Sequence, residues 1–444
     1  MRNTRRNNKQ NKTKKHFSVL KSTYDVVIVG GGIAGLNSAY ELLKSQPELK
    51  ILLCEKYKNL GGRVQTKEIK SNGKTFMVEA GAGRFHMNQS LILKLIHELG
   101  LDSKIHKLTG ENVFYNIHHT EPTNDTQMLI NRVIKYSKTM SDIQLQNSSF
   151  LDIATKVLNK EEVQYVIDSF GYYSEIVIMN AKDAIHLMTK DLSSKLQFCV
   201  LKGGLSQIVE KLHDKLANKV DFMYDTEIVA INKGYDGEFR LKTNQQKIII
   251  GKSCICALPR PALQKITIFR PLMPLLKQVE CSPLCRIYSV FKDNWNQGLP
   301  KITTNNNLRM IIPIQSDSDG TTVAMVSYTD NKFARFWKRL LDRAKGTYDL
   351  VNNEIRRLTE ETTSIIISKP VSTVMYYWEC GVGYWAIGAD SATVASAMIQ
   401  PFSGLPIFIC GENFSEKHQQ WIEGAIDTSN HAVKAFRKFY KKND

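Results

Sequence analysis

The sequence has no apolar run approaching the roughly 18–20 residues that span a bilayer. Its longest, from Asp25 to Leu36, is broken by glycines, so a membrane-spanning helix is not expected. It also has no CxxC pair among its eight cysteines, at positions 54, 199, 254, 256, 281, 285, 380 and 410. A secretory signal is not expected either, because the basic start from Arg2 to Lys15 leads into no apolar segment. In such a chain the scattered cysteines read as reduced thiols rather than a disulfide frame or a zinc site, and an intracellular location is expected. No metal ligands are assigned.

Acid is the other shortage. Asp and Glu number 43 against 60 Lys and Arg, a formal charge of +17. Residues 1–15 hold seven of those bases, no acid and almost no apolar side chain. A disordered tail over 1–21 is expected. Its partner would be an acidic surface, nucleic acid or an import receptor, unless it is simply a solvated tail. The rest of the excess is mild and does not by itself indicate nucleic-acid binding. What is present is apolar material for real cores, 42% of the chain, which excludes a wholly disordered protein. The 444 residues hold two or three domains at about 100–200 residues each.

Residues 25–29 (DVVIV) read as a strand buried on both faces. They run into Gly30, Gly32 and Gly35 in a G-x-G-x-x-G pattern. Ile33, Leu36, Tyr40 and Leu43 then recur at helical spacing, and Ile51–Cys54 makes a second strand ending at Glu55. This order is the fingerprint of a dinucleotide fold. Gly30 permits the turn, Gly32 lets a pyrophosphate approach and Gly35 lets helix and strand pack closely. The helix N-terminus faces the phosphates, and Glu55 can accept from ribose hydroxyls. NAD and FAD are not distinguished by these residues.

Further motifs follow: Leu60-Gly61-Gly62-Arg63-Val64, then Glu79-Ala80-Gly81-Ala82-Gly83-Arg84, then Cys410-Gly411-Glu412-Asn413, then Trp421-Ile422-Glu423-Gly424-Ala425. In this order they resemble the flavin-containing amine oxidase family, which includes monoamine, polyamine and L-amino-acid oxidases. The resemblance runs from Tyr24 to about Phe436. It implies an α/β fold with a discontinuous, Rossmann-like FAD-binding domain over about 22–90, 200–265 and 403–444. A substrate domain would combine a helical part, 91–199, with a mixed sheet part, 266–402. The polar stretch Asn112–Asp125 is expected to be a loop.

The resemblance also implies roles. Gly62 and Arg63 would lie along the pyrophosphate and flavin, and Gly81, Ala82 and Gly83 beside the isoalloxazine. The Val229 backbone would meet the adenine. Gly411 and Glu412 would meet the ribityl–phosphate region, and Ile422 and Ala425 would open a helix facing the flavin. Trp421 matches one of two aromatic rings that flank the substrate. The second would be Tyr384 or Trp385, which point to opposite faces of a strand; Tyr384 is preferred. Arg84 matches the L-amino-acid oxidase arginine that forks onto the substrate carboxylate. It could instead pair with a protein acid or a flavin carbonyl.

Two departures from the pattern stand out. Where monoamine oxidases attach FAD covalently through a cysteine, this chain has Gly383, so non-covalent FAD is expected. Where the family usually has a lysine linked through water to the flavin, alignment on Lys292-Asp293-Asn294-Trp295 places Arg286. An arginine stays charged and cannot act as a base, unless Arg286 is only structural. The expected activity is hydride transfer from an amine-bearing carbon to flavin N5, with an amine or L-amino acid and oxygen as partners and hydrogen peroxide as product. Two alternatives stay open: a flavin-binding member with weak or lost activity serving as a structural or virion component, and a polyamine oxidase or a demethylase of basic protein tails. The wording of the last two motifs resembles versions from algae and large DNA viruses.

Overall fold

The β-branched run ending at Val29 becomes the centre of a parallel sheet. The computed structural model describes residues 18–71, 73–110, 112–115, 125–193, 195–293, 300–316, 320–343, 348–362 and 368–441. In it the strand Ser18–Val29 lies between Lys247–Cys256 and Ile51–Cys54, parallel to both. Val26, Val27 and Ile28 are wholly buried, as a strand covered on both faces requires. Val220–Met223 continues the sheet beyond Ile51–Cys54. Ile407–Ile409 adds in parallel to Cys254–Cys256. The first half of Lys247–Cys256 pairs antiparallel with Phe239–Thr243, which pairs with Ile228–Lys233. The helix Ile33–Ser45 packs against the C-terminal helix Ile422–Lys441. Three distant stretches of sequence therefore build one sheet and its cover.

The basic tail gives way to structure earlier than expected. Ser18 and Val19 already pair with Lys247 and Ile248, so residues 18–21 extend the first strand rather than the tail. The basic segment itself lies outside the described residues.

A second sheet has six strands in the order Ser372–Trp385, Val279–Phe291, Thr322–Asp330, Met310–Ser316, Lys301–Thr304 and Asn112–Tyr115. The last corrects the expected loop: Asn112–Tyr115 runs parallel to Lys301–Thr304 as an edge strand. The strand is Asn-Val-Phe-Tyr, only four residues long, and the polar chain that follows it masked its apolar character. Asp125 ends the same stretch as the N-cap of the helix Thr126–Ser137; residues 116–124 lie outside the described set. Further helices fill the segment to Lys190. Ser141, Ser149 and Asn159 each open one with a reciprocal capping box.

The cysteines also require a correction. Cys281 and Cys380 form a disulfide between the neighbouring strands Val279–Phe291 and Ser372–Trp385, with their Cα atoms 4.9 Å apart. They are 99 residues apart in sequence, so only the sheet register brings them together. The other six cysteines are free and buried. Among the described residues, no helix is long and apolar enough to cross a membrane, and no cluster of three His, Cys, Asp or Glu could hold a metal ion.

Candidate active site

One cavity of about 2230 Å³ is walled by residues of both sheets. Single-ligand pockets span about 300–1,000 Å³, so this space suits a large cofactor and a substrate together. At one end lies the glycine turn. Gly30 sits at φ +107°, and a Cβ on Gly35 would run into the Gly30 carbonyl. Gly35 alone among the sequence-assigned cofactor residues is absent from the cavity wall, because its place is that helix–strand contact. Gly32 caps the helix Ile33–Ser45 without any side-chain bond to the first turn, and a Cβ there would meet nothing nearer than 3.9 Å. The first-turn N–H groups are thus open to an anion.

Glu55 lies just past the neighbouring strand. One oxygen accepts from the Gly31 N–H at 2.7 Å and the other from the Tyr57 N–H at 2.9 Å. Each keeps a lone pair for a ribose hydroxyl. Val229 lines the same end. The pairing of Ile228–Lys233 slips between Ile228 and Ala230, which leaves Val229 out of the ladder register. These features fit a dinucleotide.

Further in, Arg63 spans the cavity wall. Its Nη1 donates to the Gly381 carbonyl at 3.0 Å and to Glu412 Oε1. The other Glu412 oxygen accepts from the Gln420 N–H at 2.8 Å. Glu412 therefore anchors Arg63 and the turn before Trp421, in addition to lining the cavity. Gly62, Gly81, Ala82, Gly83, Gly411, Ile422 and Ala425 line it as well. Ile422 and Ala425 stand at the N-terminal end of the helix Ile422–Lys441.

The remaining wall holds the residues assigned to substrate. Trp421 stacks on Phe198 with ring centroids 6.3 Å apart. Behind it the buried His86 meets its edge at 5.5 Å and is held by Asp191 at 3.3 Å. The Trp421 indole N–H has no partner among the described residues. Tyr384 faces the cavity, whereas Trp385 turns away and donates to the Ser415 carbonyl at 3.2 Å. Arg84 places its guanidinium 4.0 Å from the Phe198 ring centre and donates to the Tyr172 hydroxyl at 2.8 Å. Among the described residues it has no carboxylate partner. Arg286 donates to the Glu79 carbonyl at 3.0 Å, lies 4.9 Å from the Tyr328 ring centre and is the nearest side chain to Gly83. Burial opposes its charge, but Tyr288 and Tyr328 beside it hold its pKa above the ordinary value.

Four further cavity residues, Tyr172, Glu175, Lys301 and Asp330, were not singled out from the sequence. Burial would raise the Tyr172 phenol, yet Arg84 and Lys301 hold it below its usual value. Burial pushes the Lys301 amine down. Glu175, 2% exposed, accepts from the Tyr384 hydroxyl at 3.3 Å. Asp330 accepts from the Tyr173 and Ser174 N–H groups. No motif marks these positions; the second sheet and the short helix Tyr173–Val177 bring them together.

Comparison with known proteins agrees with this geometry. The family model described as flavin containing amine oxidoreductase matches residues 33–435. That is most of the chain, and the chain belongs to this family of flavin-dependent, amine-oxidising enzymes. It is 22% identical to the L-amino acid oxidase bordonein-L of Crotalus durissus terrificus, over 92% of this chain and 86% of that one. It is 21% identical to an uncharacterised protein of Acanthamoeba polyphaga mimivirus, over 92% and 93% of the two chains. The solved structure of wild-type putrescine oxidase bound to putrescine shares the fold. Its TM-score is 0.75 at 16% identity, covering 95% of this chain and all of that one.

Proposed function

We propose, with family membership as the premise, that this protein binds FAD non-covalently and oxidises the α-amino group of an L-amino acid. The products would be an imine that hydrolyses and hydrogen peroxide. The observation that carries the substrate class is Arg84. A cation half-buried on a cavity wall is often paired with a protein carboxylate, and Arg84 has only a phenol and an aromatic face. Its remaining donors suit a carboxylate fork.

The other residues take roles around it. The open first turn at Gly32, the Glu55 carboxylate and the Val229 backbone would hold the adenosine half and pyrophosphate of FAD. Arg63, fixed by Glu412, would stand beside the flavin half, with Gly81 to Gly83 along it. Bound flavin supplies the hydride acceptor. Trp421 and Tyr384 would wall the amine-bearing carbon and keep water away. Arg286 remains a cation and can hold a water or a carbonyl but cannot take a proton. Non-covalent binding is supported by Gly383, which carries no thiol, and by Cys380, which is bonded to Cys281.

The test is spectroscopic. The purified protein is precipitated with acid, and the released flavin is identified. The intact protein is then mixed anaerobically with L-amino acids, their decarboxylated amines and polyamines. FAD in the supernatant and bleaching by amino acids alone are expected. Bound flavin that no amino acid reduces would remove the proposal.

A further inference from the structure

We propose that Glu175 seats a cationic side chain, so that the substrate is a basic L-amino acid of the lysine, ornithine or arginine type. This rests on the amino-acid assignment above and refines it.

Glu175 is buried on the cavity wall. One of its oxygens takes the Tyr384 hydroxyl, and the other, Oε2, has no partner among the described residues. An ionised carboxylate without a partner in a buried site is costly, and chains usually avoid it by pairing. Three of the cations that line this cavity, Arg84, Arg286 and Lys301, flank Tyr172 together with Glu175, yet among the described residues none is bonded to Glu175. Arg84 is turned to Tyr172 and Phe198, Arg286 to the Glu79 carbonyl and Tyr328, and Lys301 to the Tyr172 ring. A fourth, the buried Arg309, is paired with Asp168. Positive and negative groups are therefore held apart on the wall of one cavity. A ligand with a carboxylate at one point and an ammonium or guanidinium at another completes both.

The neighbours of Glu175 sharpen this. Asp330 on the strand Thr322–Asp330 adds a second negative charge, and its own oxygens are occupied by the Tyr173 and Ser174 N–H groups. The other titratable groups facing Glu175 are the phenols Tyr384, Tyr172 and Tyr328. Burial, then Asp330, pushes Glu175 up to about 8. Without ligand the group is mostly protonated at neutral pH. A cationic side chain would draw off that proton on binding, and a neutral side chain of equal length would leave Oε2 unpartnered.

The experiment uses the flavin-loaded protein, mixed anaerobically with L-lysine or its uncharged isostere L-norleucine, and reads the Kd from flavin bleaching. Wild type is expected to bind lysine at least about tenfold more tightly at pH near 8. The norleucine-to-lysine ratio of Kd should rise about tenfold per pH unit between about 6 and 7 and flatten above about 8. Taking the ratio cancels the ionisation of the α-amine. In Glu175→Gln the ratio should sit near one at every pH. Equal Kd values in wild type at pH near 8, or a ratio that ignores pH, would overturn the assignment of Glu175 while leaving amino-acid oxidation intact. Cadaverine, which is lysine without its carboxylate, separates the two ideas. If cadaverine matches lysine and Arg84→Ala changes neither, amino-acid oxidation fails, and the preference for cadaverine over 1-aminopentane then decides Glu175. The wild-type pH dependence carries the test even if Glu175→Gln fails to fold.

Discussion

Replacing Arg84 probes the substrate assignment most sharply. Its guanidinium makes one bond to the Tyr172 hydroxyl and packs on Phe198, which leaves donors for two bonds to a carboxylate. Hydrogen bonds to charged groups contribute about 1.5–3 kcal/mol each. Arg84→Ala should therefore cost about 3–6 kcal/mol for a carboxylate substrate, roughly a 10²–10⁴-fold loss in the second-order rate of flavin bleaching. The truncation also removes the Phe198 contact, about 0.5–2 kcal/mol, and releases Tyr172 from a neighbouring charge. Both effects fall equally on any substrate. The assay therefore compares an L-amino acid with its decarboxylated amine by anaerobic stopped flow. The amine should lose no more than about thirtyfold, the share assigned to the ring contact. Arg84→Lys keeps the charge and loses the fork, and should recover about tenfold for the amino acid only. Equal losses for the two substrates would refute the carboxylate role of Arg84.

Three other outcomes are expected. In Gly81→Ala the new Cβ would meet the Arg63 backbone carbonyl, which cannot yield; in Gly83→Ala it would meet the end of the Arg286 side chain at 2.7 Å, which can. Gly81→Ala should thus weaken flavin binding at least about tenfold more than Gly83→Ala, measured by fluorescence after dialysis. Arg286→Lys should speed reoxidation of the reduced flavin by oxygen, read by stopped flow; an unchanged rate would mark Arg286 as structural. Burial pushes Asp183 up to about 6, against bonds from Asn180 and Ser391. The folded state holds that proton more tightly than the unfolded one. Its contribution is full below the unfolded value of 3.8 and is lost as pH rises through about 6, roughly 2–3 kcal/mol in all. Melting temperatures of Asp183→Asn should be flatter across that window than those of wild type.

Much of the nucleotide end was legible in the sequence because its signals are local. A glycine turn, two apolar strands, a helix period and Glu55 lie within some thirty residues, and each has a backbone reason visible in the residue type. Trp421, Arg63 and Arg84 were legible through their motifs. The choice between Tyr384 and Trp385 rested on strand alternation, and Tyr384 is the one at the cavity wall. What stayed hidden depends on register between distant strands. Cys281 and Cys380 meet only because Val279–Phe291 pairs with Ser372–Trp385. Glu175, Asp330 and Lys301 come from three separate elements of the substrate region and carry no local signature. The strand Asn112–Tyr115 was missed because it is four residues long and runs into a polar stretch. Residues 18–21 were assigned to the tail because so short a lead-in shows no strand period, and its partners at Lys247 and Ile248 lie far along the chain.

The most direct test is a diffraction structure of the protein grown with FAD and 6-aminohexanoate, a lysine analogue that lacks the α-amine. The account predicts the adenine beside Val229 and the isoalloxazine along Gly81 to Gly83. It places the analogue between Trp421 and Tyr384, with its carboxylate on Arg84. FAD elsewhere, or a carboxylate bound away from Arg84 with the guanidinium still on Tyr172 and Phe198 alone, would contradict it.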